Sequence, residues 1–290
     1  MAKILLTGSS GYLGRLLTAR LLSQGHQLVA LTPNASDTLQ PTPNLRVYQL
    51  DKTSPAEVFQ TEDITGIIHL ATLYGRAGES AAQMAGVNVL FPLNLLELAI
   101  KHKADFFINT DTILPPNLNP YAITKHQFAL WLNYFSSKIK AVNLRLDHFY
   151  GPFDNTSKFV AFILKAMRDN APAINLTEGL QKRDFIYVDD VLDAYLAIIN
   201  GLVKMQKGSL HTFEVATDIK TSIKELVLLV KELTGNTKTK LNFGALPYRD
   251  NEMLEYQINT AALRSLGWRA KTNLKDGLTK IIKEEGGILK

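Results

Sequence analysis

Tyr121 and Lys125 stand four residues apart in Tyr121-Ala-Ile-Thr-Lys125, directly after Asn119-Pro120. Residues at that spacing on a helix share a face, so a phenol and an ammonium can reach one small molecule together. A phenol with a pKa near ~10 is a poor proton shuttle at neutral pH, and a fixed cation beside it lowers that value. Such a tyrosine can give a proton to, or take one from, a carbon-bound oxygen while a hydride moves to or from a nicotinamide. The spacing recurs at Tyr48/Lys52 and Tyr134/Lys138. The first of these falls on an extended segment, where i and i+4 diverge, and the second closes a helix beside Trp131 and Phe135, where packing explains it. Thr110-Asp111-Thr112 follows a buried strand. The Thr110 hydroxyl can hold a substrate oxygen against Tyr121; the alternative is that Thr110 and Thr112 only cap a strand end.

A second constellation lies near the start. Thr7-Gly-Ser-Ser-Gly-Tyr-Leu-Gly14 places Gly8, Gly11 and Gly14 between a short apolar strand and an amphipathic helix carrying Leu16, Leu17, Leu21 and Leu22. At such a junction the backbone turns sharply and lets a pyrophosphate approach its N–H groups, where a β-carbon would intrude. The helix dipole favours an anion at the same point. Gly8, Ser10, Gly11, Tyr12, Leu13 and Gly14 are therefore candidate dinucleotide contacts. An acid at the end of the second strand would select NAD by accepting from a free ribose hydroxyl. Here Thr32-Pro33-Asn34 stand in that place, with no acid before Asp37, while Arg15 and Lys52 can neutralise a phosphate. The expectation is NADP, with NAD as the alternative.

Composition narrows the classes. The 290 residues are 46% apolar, enough for one large or two intimate folding units. There is no cysteine, so disulfides and thiolate chemistry are excluded, and the six histidines form no close-spaced ligand pattern, so no metal is expected. No apolar run reaches membrane-spanning length and Met-Ala-Lys leads straight into a strand, so no membrane partner and a cytoplasmic location are expected. The net charge of +5 comes from 32 basic and 27 acidic residues spread along the chain. That pattern fits a solvated surface and a phosphate-bearing small substrate rather than nucleic acid.

The elements that must position these groups alternate. Strands are expected at 3–7, 27–32, 46–50, 66–71, 105–110 and 140–145, with helices at 12–24, 54–60, 80–102 and 121–137. That alternation predicts an α/β protein, a doubly wound parallel sheet of Rossmann type, with a smaller α+β C-terminal substrate lobe. Residues 1–150 and 184–216 are assigned to the dinucleotide-binding part and 151–183 with 217–290 to the lobe. Ligands sit beyond the carboxyl ends of strands in such folds. That rule singles out Gly8, Thr32, Asp51, Ala71-Thr72, Thr110 to Thr112 and Arg145 to Tyr150.

Gly8-Ser-Ser-Gly-Tyr-Leu-Gly14, His69-Leu-Ala71, Tyr121-Ala-Ile-Thr-Lys125, Tyr150-Gly-Pro152 and Arg183-Asp-Phe-Ile-Tyr-Val-Asp-Asp190 together resemble the extended short-chain dehydrogenase/reductases, which include nucleotide-sugar epimerases, dehydratases and reductases. Gly66-Ile-Ile-His-Leu-Ala-Thr72, Asn109-Thr-Asp111, Arg145-Leu-Asp-His148 and Arg249-Asp-Asn-Glu-Met253 resemble those members that reduce a CDP-linked 4-keto-3,6-dideoxyhexose with NADPH. The resemblance implies Tyr121 as acid, Lys125 on the nicotinamide ribose and Thr110 on the sugar oxygen. It implies Asp51 on adenine, Leu70, Ala71, Thr72 and Asn88 along the cofactor groove, and Arg183 and Arg249 on a substrate diphosphate. Asp111, Thr112 and His148 complete the implied sugar contacts.

Three departures matter. The family's 4,6-dehydratases carry Thr-Asp-Glu where this chain has Thr110-Asp111-Thr112, so the base for C5 is missing. His148 replaces the asparagine usual before Tyr-Gly-Pro, and the loop from Thr112 to Tyr121 is short. The implied reaction is reduction of the C4 ketone of a nucleoside-diphosphate deoxysugar for surface polysaccharide. An NAD-dependent 4-epimerase and a non-catalytic dinucleotide-sensing regulator are the alternatives. A homodimer through the helices at 80–102 and 121–137 is also implied. Asp189 and Asp190 read as helix caps without chemistry.

Overall fold

The computed structural model describes residues 2–34, 39–249 and 252–286. From the N-terminus come β1 (Lys3–Thr7), α1 (Tyr12–Ser23), β2 (Gln27–Thr32), β3 (Leu45–Gln49), α2 (Pro55–Thr61) and β4 (Gly66–His69). Then follow α3 (Ala81–Ala85), α4 (Phe91–Lys101), β5 (Phe106–Thr112), α5 (Pro120–Tyr134), β6 (Lys140–Leu146) and β7 (His148–Tyr150). The rest comprises α6 (Phe159–Arg168), β8 (Ala173–Asn175), β9 (Lys182–Tyr187), α7 (Val188–Gly201), β10 (Leu210–Val215), β11 (Lys220–Ser222), α8 (Ile223–Leu233), β12 (Lys240–Asn242), α9 (Ala261–Ser265) and α10 (Leu274–Glu284).

Two compact units result, Met1–Leu146 with Tyr195–Phe213, and Asp147–Ala194 with Glu214–Lys290. In the first, strands run β10-β6-β5-β4-β1-β2-β3 across one sheet, and β3 through β6 pair in parallel. The chain reverses its direction of travel between β1 and β4. The Rossmann crevice opens at that switch point, beyond Thr7 and His69. Short apolar runs such as Ile67-Ile68 and Phe106-Phe107-Ile108 lie fully buried because helices cover both faces. One core layer packs Leu5, Val29, Ile67 and Phe107 against Phe59, Leu95, Leu96, Phe128 and Leu132, each contributing roughly 1.5–3 kcal/mol by burial.

Local chemistry sets the helix starts. Ser54 and Ser80 each open a helix with a reciprocal capping box, to Glu57 and Gln83. Asn119 caps α5 by accepting from the Ala122 N–H, and Pro120 fills its first position. Between α3 and α4 the helix widens into a π turn, Gly86–Leu90. The continuous stretch Ala81–Lys101 is 21 residues long and, by length and composition, apolar enough to cross a membrane, contrary to the expectation that no run reaches that length. Its Leu95, Leu96 and Ala99 are instead wholly buried in the core layer.

In the second unit β9 pairs with β7 and β11, and β8 with β12. Helices α6, α8 and α10 bury Ile163, Leu226, Val230, Leu278 and Ile281 against them. Residues 184–194, expected to return to the main sheet, belong here, because β9 finds its partners in this smaller sheet. Asp190 is not a helix cap: its carboxylate accepts from the Lys271 and Thr272 N–H groups and its carbonyl from Trp268.

Candidate active site

The loop between β1 and α1 is built for close approach. Gly8 has φ +69°, and a Cβ there would lie 2.6 Å from the Ala71 nitrogen; at Gly14 it would lie 2.0 Å from the Gly8 carbonyl oxygen. Gly11 precedes α1 with no side-chain cap, and the first turn holds no acid, so its N–H groups are open to an anion. The Ser9 hydroxyl is buried without a partner. These residues fit a dinucleotide pyrophosphate, since any side chain at Gly8 or Gly14 would fill the cradle. Leu13 is buried beneath it and Ser10 and Tyr12 flank it half-buried. The Ser10 carbonyl accepts from Arg15 at 3.3 Å.

Thr7 ties this loop to the end of β4. Its Oγ1 accepts from the Leu70 and Ala71 N–H groups, each at 3.2 Å, and lies 2.8 Å from His69 Nδ1. With two donors arriving, the hydroxyl must give its own proton to the imidazole. Burial foremost, then the Lys125 charge, holds His69 well below its usual pKa, so the ring is neutral. Leu70, Ala71 and Thr72 thus begin a pinned segment along the crevice.

Asn88, on the π turn, fixes the continuation of that segment. Its Oδ1 accepts from the Leu73 N–H (2.8 Å) and the Thr72 hydroxyl (3.2 Å), and its Nδ2 donates to the Leu73 carbonyl (2.9 Å) and Thr124 Oγ1 (3.0 Å). Asp51 is exposed on the turn after β3. At the end of β2, buried Thr32 donates to the Tyr48 carbonyl at 3.3 Å, Pro33 and Asn34 are exposed, and Asp37 lies outside the described residues.

Thr110, Asp111 and Thr112 end β5, and Tyr121 and Lys125 open α5. Lys125 is buried, which lowers its pKa to about 8 against the supporting charge of Asp111. The Asp111 carboxylate accepts from the Thr112 N–H and from Asn143 Nδ2, both at 2.8 Å. Asn143 in turn accepts from Asn109 at 2.8 Å. The Thr110 hydroxyl meets the Tyr195 hydroxyl at 2.5 Å. Tyr121 is half-buried, and its pKa is raised well above 10 by burial first, then by Tyr74 and Asp111. Arg76 and the Thr112 hydroxyl oppose that rise. The expected acidification of Tyr121 by Lys125 is therefore not the balance found here: the lysine faces Asp111, and the cation acting on the phenol is Arg76.

The other two Tyr/Lys pairs do different work. Tyr48 donates to Glu62 at 2.7 Å, and Tyr134, 72% exposed, packs edge-on to Trp131 and Phe135.

Arg183, His148 and Arg249 stand in the second unit. Arg183 donates to the Lys182 and Met253 carbonyls and pairs with Glu252, and its guanidinium lies 5.4 Å from the Tyr256 ring centre. His148 Nδ1 is 2.5 Å from Asp147 Oδ1, which also accepts from Tyr256. Arg249 is exposed, ahead of a segment whose Leu254 carbonyl accepts from the Lys182 N–H at 2.7 Å.

A model of the NAD dependent epimerase/dehydratase family matches residues 4–216. The chain belongs to that family. CDP-abequose synthase of Salmonella typhimurium is 34% identical over 97% of both chains, and its namesake from Yersinia pseudotuberculosis is 26% identical over 97% of this chain and 100% of that one. Among solved structures, UDP-glucose 4-epimerase from Thermotoga maritima with UDP-glucose superposes with a TM-score of 0.85 at 25% identity, covering 98% of each chain.

As a member of the epimerase/dehydratase family, this chain is an NAD(P)-dependent oxidoreductase of the extended short-chain type. Tyr74, Arg76, Asn143 and Tyr195 around Tyr121 and Lys125 escape motif reading. One of them left a signal: Asn143 interrupts the apolar stretch Ala141 to Leu144, and register places it opposite Asn109. Tyr74 and Tyr195 left none, because their partners are remote in sequence.

Proposed function

We propose that the enzyme uses NADPH to reduce the C4 ketone of a CDP-linked 4-keto-6-deoxy- or 3,6-dideoxyhexose, making an activated deoxysugar for surface polysaccharide. The strand end facing Tyr121 carries this reading: it offers hydroxyls at Thr110 and Thr112 and no carboxylate at 112. Without a base there, abstraction of the C5 proton has no acceptor and dehydration is disfavoured. The 34% identity with a CDP-abequose synthase over nearly the whole chain supports the same choice.

The residues divide the work. Thr110 donates to the ketone oxygen, and Tyr121 delivers its proton as that oxygen becomes an alkoxide. A phenol held well above 10 stays protonated at neutral pH, which suits a donor in the reducing direction. Lys125, poised near 8, holds ribose hydroxyls and returns a proton to Tyr121. NADPH bound in the glycine cradle supplies the hydride. The absence of an acid at Thr32-Pro33-Asn34, with Arg15 and Lys52 exposed, supports NADP over NAD. Arg183 and Arg249 take the diphosphate charge, with Asp111, Thr112 and His148 as sugar contacts.

We also propose a cytoplasmic homodimer. Leu90, Ile123, Leu130, Trp131 and Tyr134 leave apolar surface exposed on the helices around Gly86–Leu90 and α5, and light scattering tests the pairing.

The deciding experiment is stoichiometric. Loss of NADPH absorbance equal to the CDP-4-keto-3,6-dideoxyhexose consumed supports reduction. Redox-neutral interconversion of UDP-glucose with NAD retained would instead make it a 4-epimerase, in line with the Thermotoga structure. Cofactor binding without either turnover would leave a regulator.

A further inference from the structure

We propose that Tyr74 and Arg76, on the loop after β4, position and charge-tune the proton-donating phenol: Tyr74 holds the Tyr121 ring by stacking, and Arg76 sets a permanent cation over Tyr74. The proposal rests on the reading of Tyr121 as proton donor. The ring centres of Tyr74 and Tyr121 are 5.0 Å apart at 31°, within the range of favourable aromatic pairs. The Arg76 guanidinium carbon lies 4.9 Å from the Tyr74 ring centre, a cation–π distance.

The loop is shaped for this. Gly75 (φ +72°) and Gly78 (φ +86°) take left-handed turns on either side of Arg76, and a Cβ at Gly75 would lie 2.8 Å from Met84 Sδ. Asn88 clamps Leu73, the residue before Tyr74, through both its backbone groups. The base of the loop is thus fixed while Tyr74 stays 42% exposed.

The charges facing Tyr121 leave Arg76 a distinct part. From β5 come Asp111 and the Thr112 hydroxyl, from the loop Tyr74 and Arg76, and one turn along α5 Lys125. Asp111 disfavours the phenolate, and Lys125 is matched to Asp111 and titrates near 8. A guanidinium keeps its charge throughout the working range, so Arg76 favours the phenolate by charge at every pH, alongside the uncharged Thr112 hydroxyl.

Protein labelled with 3-fluorotyrosine tests this, using the 19F resonance that disappears in Tyr121→Phe. Arg76→Ala is expected to raise the titration midpoint of that resonance by roughly half a unit or more, with Arg76→Lys restoring it. Because Arg76 is exposed, added salt should move the wild-type midpoint toward that of Arg76→Ala. In turnover of a CDP-linked 4-keto-3,6-dideoxyhexose with NADPH, Tyr74→Ala should lower kcat about tenfold at unchanged NADPH affinity, and Tyr74→Phe should recover it. A midpoint unmoved by Arg76→Ala, or wild-type kcat in Tyr74→Ala, overturns the proposal while an inactive Tyr121→Phe leaves the donor in place. Wild-type turnover in Tyr121→Phe removes the donor and the proposal with it.

Discussion

The hydroxyls of Thr110 and Tyr195 meet at 2.5 Å, joining the end of β5 to helix α7. Tyr195 is fully buried, and burial pushes its phenol far up, so it keeps its proton. A protonated phenol is a stronger donor than an aliphatic alcohol, so in the proposed reaction Tyr195 gives its hydrogen to Thr110 and leaves the Thr110 hydrogen for the ketone oxygen. Tyr195→Phe removes that direction while keeping the ring. The expected result is a fall in kcat of about tenfold with NADPH affinity unchanged, and a stability loss of about 1 kcal/mol from the missing hydrogen bond. Steady-state kinetics and a urea melt measure both. Wild-type kcat would show that Thr110 needs no director.

Lys125 makes stability depend on pH. Its pKa falls from 10.5 to about 8 on folding, chiefly through burial. Below 8 the group is charged in both states and contributes no slope. Between about 8 and 10.5 the unfolded chain holds a proton the folded one has released, so unfolding free energy rises with pH. The rise attributable to this residue is on the order of 3 kcal/mol. Lys125→Met should lack it, being more stable than wild type below pH 8 and losing that advantage as pH climbs. Urea unfolding of both proteins from pH 7 to 10.5 measures the difference, and parallel curves would place the ammonium in water rather than in the core.

Local pattern made much of this legible. Three glycines between a strand and a helix have one steric explanation, and the i, i+4 period places Tyr121 and Lys125 on one face before any coordinates exist. What opposes each of them was hidden, because Asp111 reaches Lys125 across a strand-to-helix contact and Tyr74 reaches Tyr121 from a loop more than forty residues earlier. The run Phe185-Ile186-Tyr187 is equally consistent with a central or a peripheral strand, and only its pairing with β7 and β11 decides between them. Asp190 shows the same ambiguity: an acid in a first turn reads as a cap, yet its acceptors are taken by backbone N–H groups some eighty residues on.

Asp111 acts on both Tyr121 and Lys125, raising their pKa values together. Asp111→Asn keeps an oxygen for the Asn143 amide and removes the charge. Both groups then lose their protons more readily, so the alkaline limb of the kcat/KM profile should move to lower pH by roughly one unit. The profile is read from NADPH oxidation between pH 6 and 10. A limb that stays in place, or moves up, would take Asp111 out of the charge balance.

Asn88 couples the segment after β4 to helix α5 through one side chain. It joins Thr72 and Leu73 to Thr124, whose hydroxyl donates to the Tyr121 carbonyl at 2.9 Å, and it is completely buried. Asn88→Ala strands the Leu73 N–H and carbonyl away from water, which costs about 2–4 kcal/mol for the groups left unpaired. The same cut frees the base of the loop that carries Tyr74, so the stacked ring should lose its register. Asn88→Ala is therefore expected to weaken NADPH binding and to lower kcat even at saturating NADPH, together with the stability loss in urea. Stability lost with unchanged kcat at saturation would mean that the clamp serves the fold alone, because a relaxed loop would then still deliver Tyr121 to its substrate.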